Sequence, residues 1–291
     1  MGKYSIKELE TLSGIKAHTI RIWEKRHKVI APKRTATNIR FYSDDDLKKI
    51  INISLLNSHG VKISKIISLS SEEISRQVVA LSETKTDTQL YADQLILAMV
   101  DLKEEQFEKT IGSMTLSLGF ERTVIEVIYP FLEKVGVLWH TGVINPAQEH
   151  FISQLVRQKI LVAIDGLAYP DPKATGVVLF LPENELHEIA LLFYHYLLRK
   201  AGYRTYYLGQ TVPYADVSFV CASNRPEYIV TSLTSYLTAT SVNKYLNALA
   251  DDFPESVILV AGAAAAKLKL NLRENVRIIE GPLALKRFLA I

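Results

Sequence analysis

The stretch His18-Thr-Ile-Arg-Ile-Trp-Glu-Lys-Arg-His27, with Pro32-Lys-Arg-Thr35 and Asn38-Ile-Arg-Phe-Tyr42 behind it, sets a basic helix beside a basic and aromatic hairpin. On a helix, His18, Arg21, Lys25 and Lys28 fall at i, i+3, i+7 and i+10 and share one face, while Ile20 and Trp23 point to another and can pack on a neighbour. A cationic helix face just after a tight turn suits the major groove, and Arg34 and Arg40, on either side of a short wing, are placed to meet phosphates. The first 40 residues hold ten Lys/Arg against three Asp/Glu, a net of +7, whereas the whole chain is only +3, so the other 251 residues are net −4. Charge this concentrated is an electrostatic footprint for double-stranded DNA.

Working outward, Ser5 with Glu8 reads as a capping box, Gly14 as the end of a first helix, and 17–26 as a second, which is a helix-turn-helix rhythm. Residues 29–40 suit a β-wing. Ser43 then caps a helix opened by Asp44-Asp45-Asp46, with Leu47, Ile50, Ile51, Ile53, Leu55 and Leu56 as its apolar face and Gly60 as its stop. The winged helix-turn-helix is thus expected over 1–75, followed by a polar linker over 76–88.

Residues 89–168 carry helical periodicity at 90–100, 104–118, 120–139 and 147–167, which predicts an antiparallel four-helix bundle. From 175 the period changes. Short β-rich runs at 177–181, 205–208, 228–231, 257–260 and 276–279 alternate with helix-length segments such as 186–201, the pattern of a flavodoxin-like (Rossmann-type) parallel sheet with helices on both faces over 175–291. The chain therefore reads as multidomain, α followed by α/β. Such sheets bind ligands beyond the carboxyl ends of their strands, at the switch in strand order.

At 291 residues, 48% apolar and 22% charged, this is ordinary globular material. The polar N-terminus and the absence of a long apolar run predict a cytoplasmic protein with no membrane segment. One cysteine, Cys221, excludes an internal disulfide, has no zinc-site spacing and is most simply a small buried residue. There is no phosphate-binding Gly-rich loop, no Gly-x-Ser-x-Gly elbow and no His-Glu-x-x-His pair, so an enzyme is not expected.

Tyr4-Ser-Ile6, Thr19-Ile-Arg-Ile-Trp-Glu24, Pro32-x-Arg34-Thr35, Asn38-x-Arg40-Phe-Tyr42, Asp46-Leu47, Leu56, Gly60 and Ile63 together resemble the MerR family of winged-helix regulators over roughly residues 3–70. The resemblance implies dimeric binding to a pseudo-palindromic operator, with Arg21, Arg34 and Arg40 at the DNA and Tyr42 supporting the wing. The clustered cysteines of metal-sensing members are missing.

Two further constellations lie downstream. Trp139-His140 and, after eight residues, Glu149-His150 sit on the last two bundle helices; an indole, a carboxylate and imidazoles can cover a flat ligand, although a Trp at a helix end also serves as plain core. After the first strand, Glu185-Leu-His187-Glu-Ile-Ala190 presents an imidazole at the switch point, with Glu185 near enough to orient it; an ordinary polar helix start is the alternative.

Together these look like the cobalamin-dependent photoreceptor branch of MerR regulators, the CarH and LitR type. That resemblance implies cobalamin, adenosylcobalamin above all, between bundle and α/β domain, with His187 as lower cobalt ligand, Trp139, Glu149 and His150 above, and His140 as upper ligand after illumination. It further implies a homo-oligomer, dimer or tetramer, controlled by light. The Asp-x-His-x-x-Gly, Ser-x-Leu and Gly-Gly motifs of cobalamin-binding domains are met by Glu185-x-His187-x-x-Ala190, by Thr231-Ser232-Leu233 or Ser232-Leu-Thr, and by Gly262-Ala263, so a longer carboxylate and two added methyls stand where Asp and Gly are usual. The rival readings are a cobalamin-independent regulator controlled by a protein partner or another ligand, and a corrinoid carrier protein.

Overall fold

The computed structural model describes residues 3–35, 38–70, 73–74, 76–78, 88–140, 144–235 and 238–291, without the side chains of 137–140 and 263. The chain forms two compact units, Met1–Leu155 and Val156–Ile291.

In the first unit, α1 (Ile6–Ser13) opens on the Ser5–Glu8 capping box and closes on Gly14 at φ +71°. The second helix, α2 (Ala17–His27), is followed by the wing strands β1 (Lys33–Arg34) and β2 (Arg40–Phe41), and Ser43 caps α3 (Asp44–Ser58) reciprocally with Asp46. All six apolar residues expected on the core face of α3 are buried. Lys28 departs from expectation: it takes the left-handed conformation at φ +50° and closes α2, so it is not part of the helical face. After α4 (Ile63–Ile66), Ser70 and Glu73 exchange hydrogen bonds, and the described residues of 73–78 are helical with Ile74 and Val78 buried. Ordered helix thus reaches into the expected linker, whose remaining residues 79–87 lie outside the described ones.

The bundle helices are α5 (Thr88–Val100), α6 (Glu104–Leu118), a run made of α7 (Phe120–Thr123), a π-helical turn (Val124–Ile128) and α8 (Tyr129–His140), and α9 (Pro146–Asp165). From Leu90 to Val100 α5 is buried on every side, Asp93 included, and Lys134 of α8 neutralises that carboxylate at 2.7 Å. The helix-turn-helix and the bundle share one compact unit because α3 packs on α5 and Lys48 bonds Asp101 at 2.9 Å.

The second unit takes the C-terminal part of α9 and a five-stranded, all-parallel sheet in the order β4-β3-β5-β6-β7. Its strands are β3 (Gly176–Pro182), β4 (Arg204–Val212), β5 (Tyr228–Ser232), β6 (Val257–Ala261) and β7 (Val276–Ile278). The helices are α10 (Ile189–Lys200), α11 (Tyr214–Asn224), α12 (Ala239–Asp252), α13 (Ala263–Lys267) and α14 (Pro282–Leu289). Counted along the sheet this is the flavodoxin-like 2-1-3-4-5 order, and the switch point lies between β3 and β5. Two spans differ from the sequence reading. Helix α10 starts at Ile189, not at 186, because Glu185 and Glu188 turn inward and hold 185–188 as a loop. Strand β4 runs to Val212 through two register slips against β3, the first a bulge at Leu208 followed by Gly209 at φ +83°.

Candidate functional site

The basic face is built by local bonds. Glu10 accepts from the Ala17 amide at 3.0 Å and from Lys16 at 3.1 Å, fixing the first turn of α2 and holding the Glu10 carboxyl below its usual range, chiefly through the Lys16 hydrogen bond. Ile20 and Trp23 are buried, which leaves His18, Arg21, Ile22, Lys25 and Arg26 exposed and Thr19 half-buried. In the wing, Arg34 and Arg40 stand directly opposite each other in the β1–β2 pair. Like charges in that register repel, and each has a local offset: Arg34 donates to the Asn38 carbonyl at 3.2 Å and side-chain oxygen at 2.7 Å, and Arg40 lies 3.8 Å from Glu24. Tyr42 is fully buried; its hydroxyl donates to Glu24 at 3.1 Å and its backbone pairs with Tyr4. Its place is therefore behind the wing, bracing it against α2, and not on the surface. Glu24, which ties helix to wing, was not singled out from the sequence.

At the bundle, the Asn145 amide donates to the Gln148 side chain, the Gln148 amide donates back to the Asn145 carbonyl, and the Asn145 side chain accepts from the Ala147 amide, which together open α9 around Pro146. In the first turns Glu149 and His150 pair at 3.1 Å, with the His150 side chain 71% exposed. The side chains of Trp139 and His140, at the end of α8, lie outside the described residues.

The sheet mouth is the more elaborate site. Glu185, only 2% exposed, accepts from His187 Nδ1 at 2.6 Å, from the Leu186 and His187 amides at 3.1 Å, and from the Thr234 and Ser235 amides at 2.8 Å across the switch point. The Ser235 hydroxyl adds a donor at 3.1 Å. Burial would raise its pKa, but the His187 bond and then the Ser235, Thr234 and His187 amides outweigh that and hold it down at about 2. An ionised acceptor fixes the His187 proton on Nδ1 and makes Nε2 the basic nitrogen, the arrangement found behind metal-ligating imidazoles. The His187 side chain is 62% exposed.

Beside it, Thr231 and Ser232 end β5 fully buried, and neither hydroxyl finds a hydrogen-bond partner among the described residues. Leu233 is core, its amide donating to Ala261 and its carbonyl accepting from Ala264. Gly262 sits at φ +99°, and a Cβ there would come within 2.7 Å of the Leu233 amide nitrogen. Its lack of a side chain is thus required first by the neighbouring loop, whatever ligand approaches. Ala190 is half-buried in the first turn of α10; the Ala263 side chain is not among the described ones. Cys221 is buried, its thiol pushed up to about 12 by desolvation.

Sequence reading gave no role to Thr234 or Glu188, though both fall inside quoted motifs, and missed Ser235, Tyr207 and Arg157. Their partners lie 19 to 50 residues away, beyond any motif.

Residues 4–73 match the MerR HTH family regulatory protein family, and residues 91–163 match the B12 binding domain family. The chain is 28% identical over 270 residues to the HTH-type transcriptional repressor CarH of Myxococcus xanthus, covering 91% of this chain and 90% of that protein. It is 25% identical over 260 residues to the repressor CarA of the same organism, covering 84% and 81%. Among solved structures, the Methanosarcina barkeri monomethylamine corrinoid protein superposes at a TM-score of 0.57 with 15% identity, over 70% of this chain and 99% of that one, a likeness of fold. No helix among the described residues is long and apolar enough to cross a membrane.

Proposed function

We propose that this chain, which carries a MerR-type helix-turn-helix and a B12-binding domain, is a transcriptional regulator whose grip on double-stranded DNA is set by the state of a bound cobalamin. The observation that carries the reading is the pair at the sheet mouth: an exposed His187 whose Nδ1 is committed to a buried, ionised Glu185. The residues present fit the group. Glu185 performs the orienting task of the usual aspartate despite its extra methylene, and the buried Ser232 hydroxyl offers a hydrogen bond that the described protein groups leave unused.

When bound, cobalamin would supply a cobalt centre with a light-labile upper ligand, adenosylcobalamin being the favoured form. His187 would hold the lower position, while Trp139, Glu149 and His150 would shield the upper side and His140 would serve as the ligand in light. His18, Thr19, Arg21 and Lys25 would face the major groove, Arg34 and Arg40 the phosphates, with Tyr42 bracing the wing. A homo-oligomer on a pseudo-palindromic operator follows the organisation of MerR-type regulators, and a shift between packed states would couple cofactor to assembly. The same domains favour a regulator over a corrinoid carrier, since a carrier has no use for a groove-reading helix.

The test is the absorbance spectrum of the full chain with adenosylcobalamin before and after green light, run beside gel filtration and a DNA mobility-shift assay. Cobalamin should co-elute with the protein, and illumination should change spectrum, assembly size and DNA retention together. His187→Ala should weaken co-elution and cofactor-dependent assembly. A colourless wild-type protein, or unchanged retention by the variant, defeats the reading.

A further inference from the structure

We propose that Glu188, with Tyr207 and Arg157, is a positioning device for His187, the second of two posts that hold the lower-ligand loop from opposite sides; the inference rests on the cobalamin reading above. Along 185–188 the side chains go in, out, out, in: Glu185 and Glu188 are 2% and 6% exposed, whereas Leu186 and His187 are exposed. Two buried carboxylates thus bracket the outward pair. Glu185 is anchored on the β5 side, at Thr234 and Ser235. Glu188 is anchored on the β4 side, where one oxygen accepts from the Tyr207 hydroxyl at 2.7 Å and the other from Arg157 Nε on α9 at 2.8 Å. Since β3 lies between β4 and β5, the loop that follows it is pinned to both neighbours.

Glu188 occupies the N-cap position of α10, yet its side chain makes no capping bond, so capping the helix start is not its task. A carboxylate this buried is costly unless fully partnered, and both of its oxygens are taken by groups from other elements.

The bulge in β4 serves the same end. Tyr207 and Gln210 are three residues apart and would face opposite sides of a regular strand. The register slip between Leu179 and Phe180 leaves Leu208 as the extra residue, with Gly209 at φ +83°, and lets both reach the loop: Tyr207 to Glu188, and Gln210 Nε2 to the Leu186 carbonyl at 2.7 Å. Arg157 lies on the C-terminal part of α9, within the second unit, so the post ties the loop to that part of the helix.

The experiment uses the full chain and aquacobalamin. Affinity is read by absorbance titration, and after reduction the nitrogen splitting in the cob(II)alamin electron paramagnetic resonance spectrum is assigned to a protein imidazole by isotope-labelled histidine. Glu188→Gln and Arg157→Ala should weaken binding at least about tenfold and reduce the histidine splitting in the bound fraction, while Arg157→Lys restores most of both. Wild-type affinity with full splitting in Glu188→Gln and Arg157→Ala overturns the proposal. So does weakened binding with the splitting intact, which marks a fold defect without loss of aim. Absence of the histidine splitting in wild-type protein instead brings down the cobalamin reading itself, before any variant is compared.

Discussion

The winged helix and the sheet mouth solve the same problem, aiming an exposed nitrogen group from a held carboxylate, with bonds of very different reach. In the winged helix most supports are local: Ser5 with Glu8, Ser43 with Asp46, Glu10 with Ala17, and Glu24 with Tyr42 at the longest of these. At the sheet mouth Glu185 reaches residues 49 and 50 positions on, and Glu188 reaches Tyr207 and Arg157. A site closed by local bonds should lose one support at modest cost. One closed by distant bonds depends on the whole sheet edge, and damage there should spread.

The sharpest way to break that contrast is Gly262→Ala. Its φ of +99° disfavours any side chain, and the added Cβ would press on the backbone of Leu233, which cannot rotate away. We expect a loss of about 3 kcal/mol or more in the urea unfolding transition of the α/β unit, together with loss of cobalamin co-elution. A midpoint within experimental error of wild type would show the sheet edge to be far more compliant than its bonds suggest.

Acid offers the next test. Burial, and then the nearby Arg199, pushes His195 down to about 4; the ring is stacked on Tyr207 at 4.9 Å. The imidazole is neutral in the fold but gains a proton in the unfolded chain below its ordinary pKa of about 6.5. Stability is therefore fully present above that value and is lost as pH falls toward 4, by about 2 kcal/mol at pH 5. His195→Phe should flatten this part of the stability curve of the apo-protein, and an unchanged acid limb would place the titrating group elsewhere. Ser43→Ala, which removes a reciprocal cap of α3, should cost about 1 kcal/mol in the unfolding of the helical unit and nothing at the sheet mouth.

Reach also explains what could be read in advance. Capping boxes, the core face of α3 and the alternation of strands and helices are written within windows of three to fifteen residues, so the winged helix, the bundle helices and the parallel sheet were legible. His187 and Glu185 were legible because they are two residues apart. Thr234, Ser235, Tyr207 and Arg157 were not, because only the sheet brings them to the loop. The bulge in β4 had one local signal, Gly209 at φ +83° inside the strand, but what the bulge brings together, Tyr207 and Gln210 at the loop, is not written locally. Lys28 was misplaced because a lysine can take the left-handed closing position where glycine is the expected signal.

The smallest expected effect separates the two wing arginines, and it turns on their offsets. Arg34 is steadied by the neutral carbonyl and amide oxygens of Asn38, so its full charge remains available to phosphates. Arg40 shares its charge with Glu24 at 3.8 Å. Withdrawing one cation from a phosphate should lower the slope of log affinity against log salt by about one. Arg34→Ala should show that whole decrement on duplex operator DNA with the melting temperature unchanged. Arg40→Ala should show a smaller one, because part of the Arg40 charge is already offset by Glu24; the carboxylate left without that cation adds repulsion toward phosphates, which Glu24→Gln in the same background should recover. Equal slopes for the two variants would mean that Glu24 does not offset Arg40 once DNA is bound, and that its bond to Tyr42 is its only service to the wing.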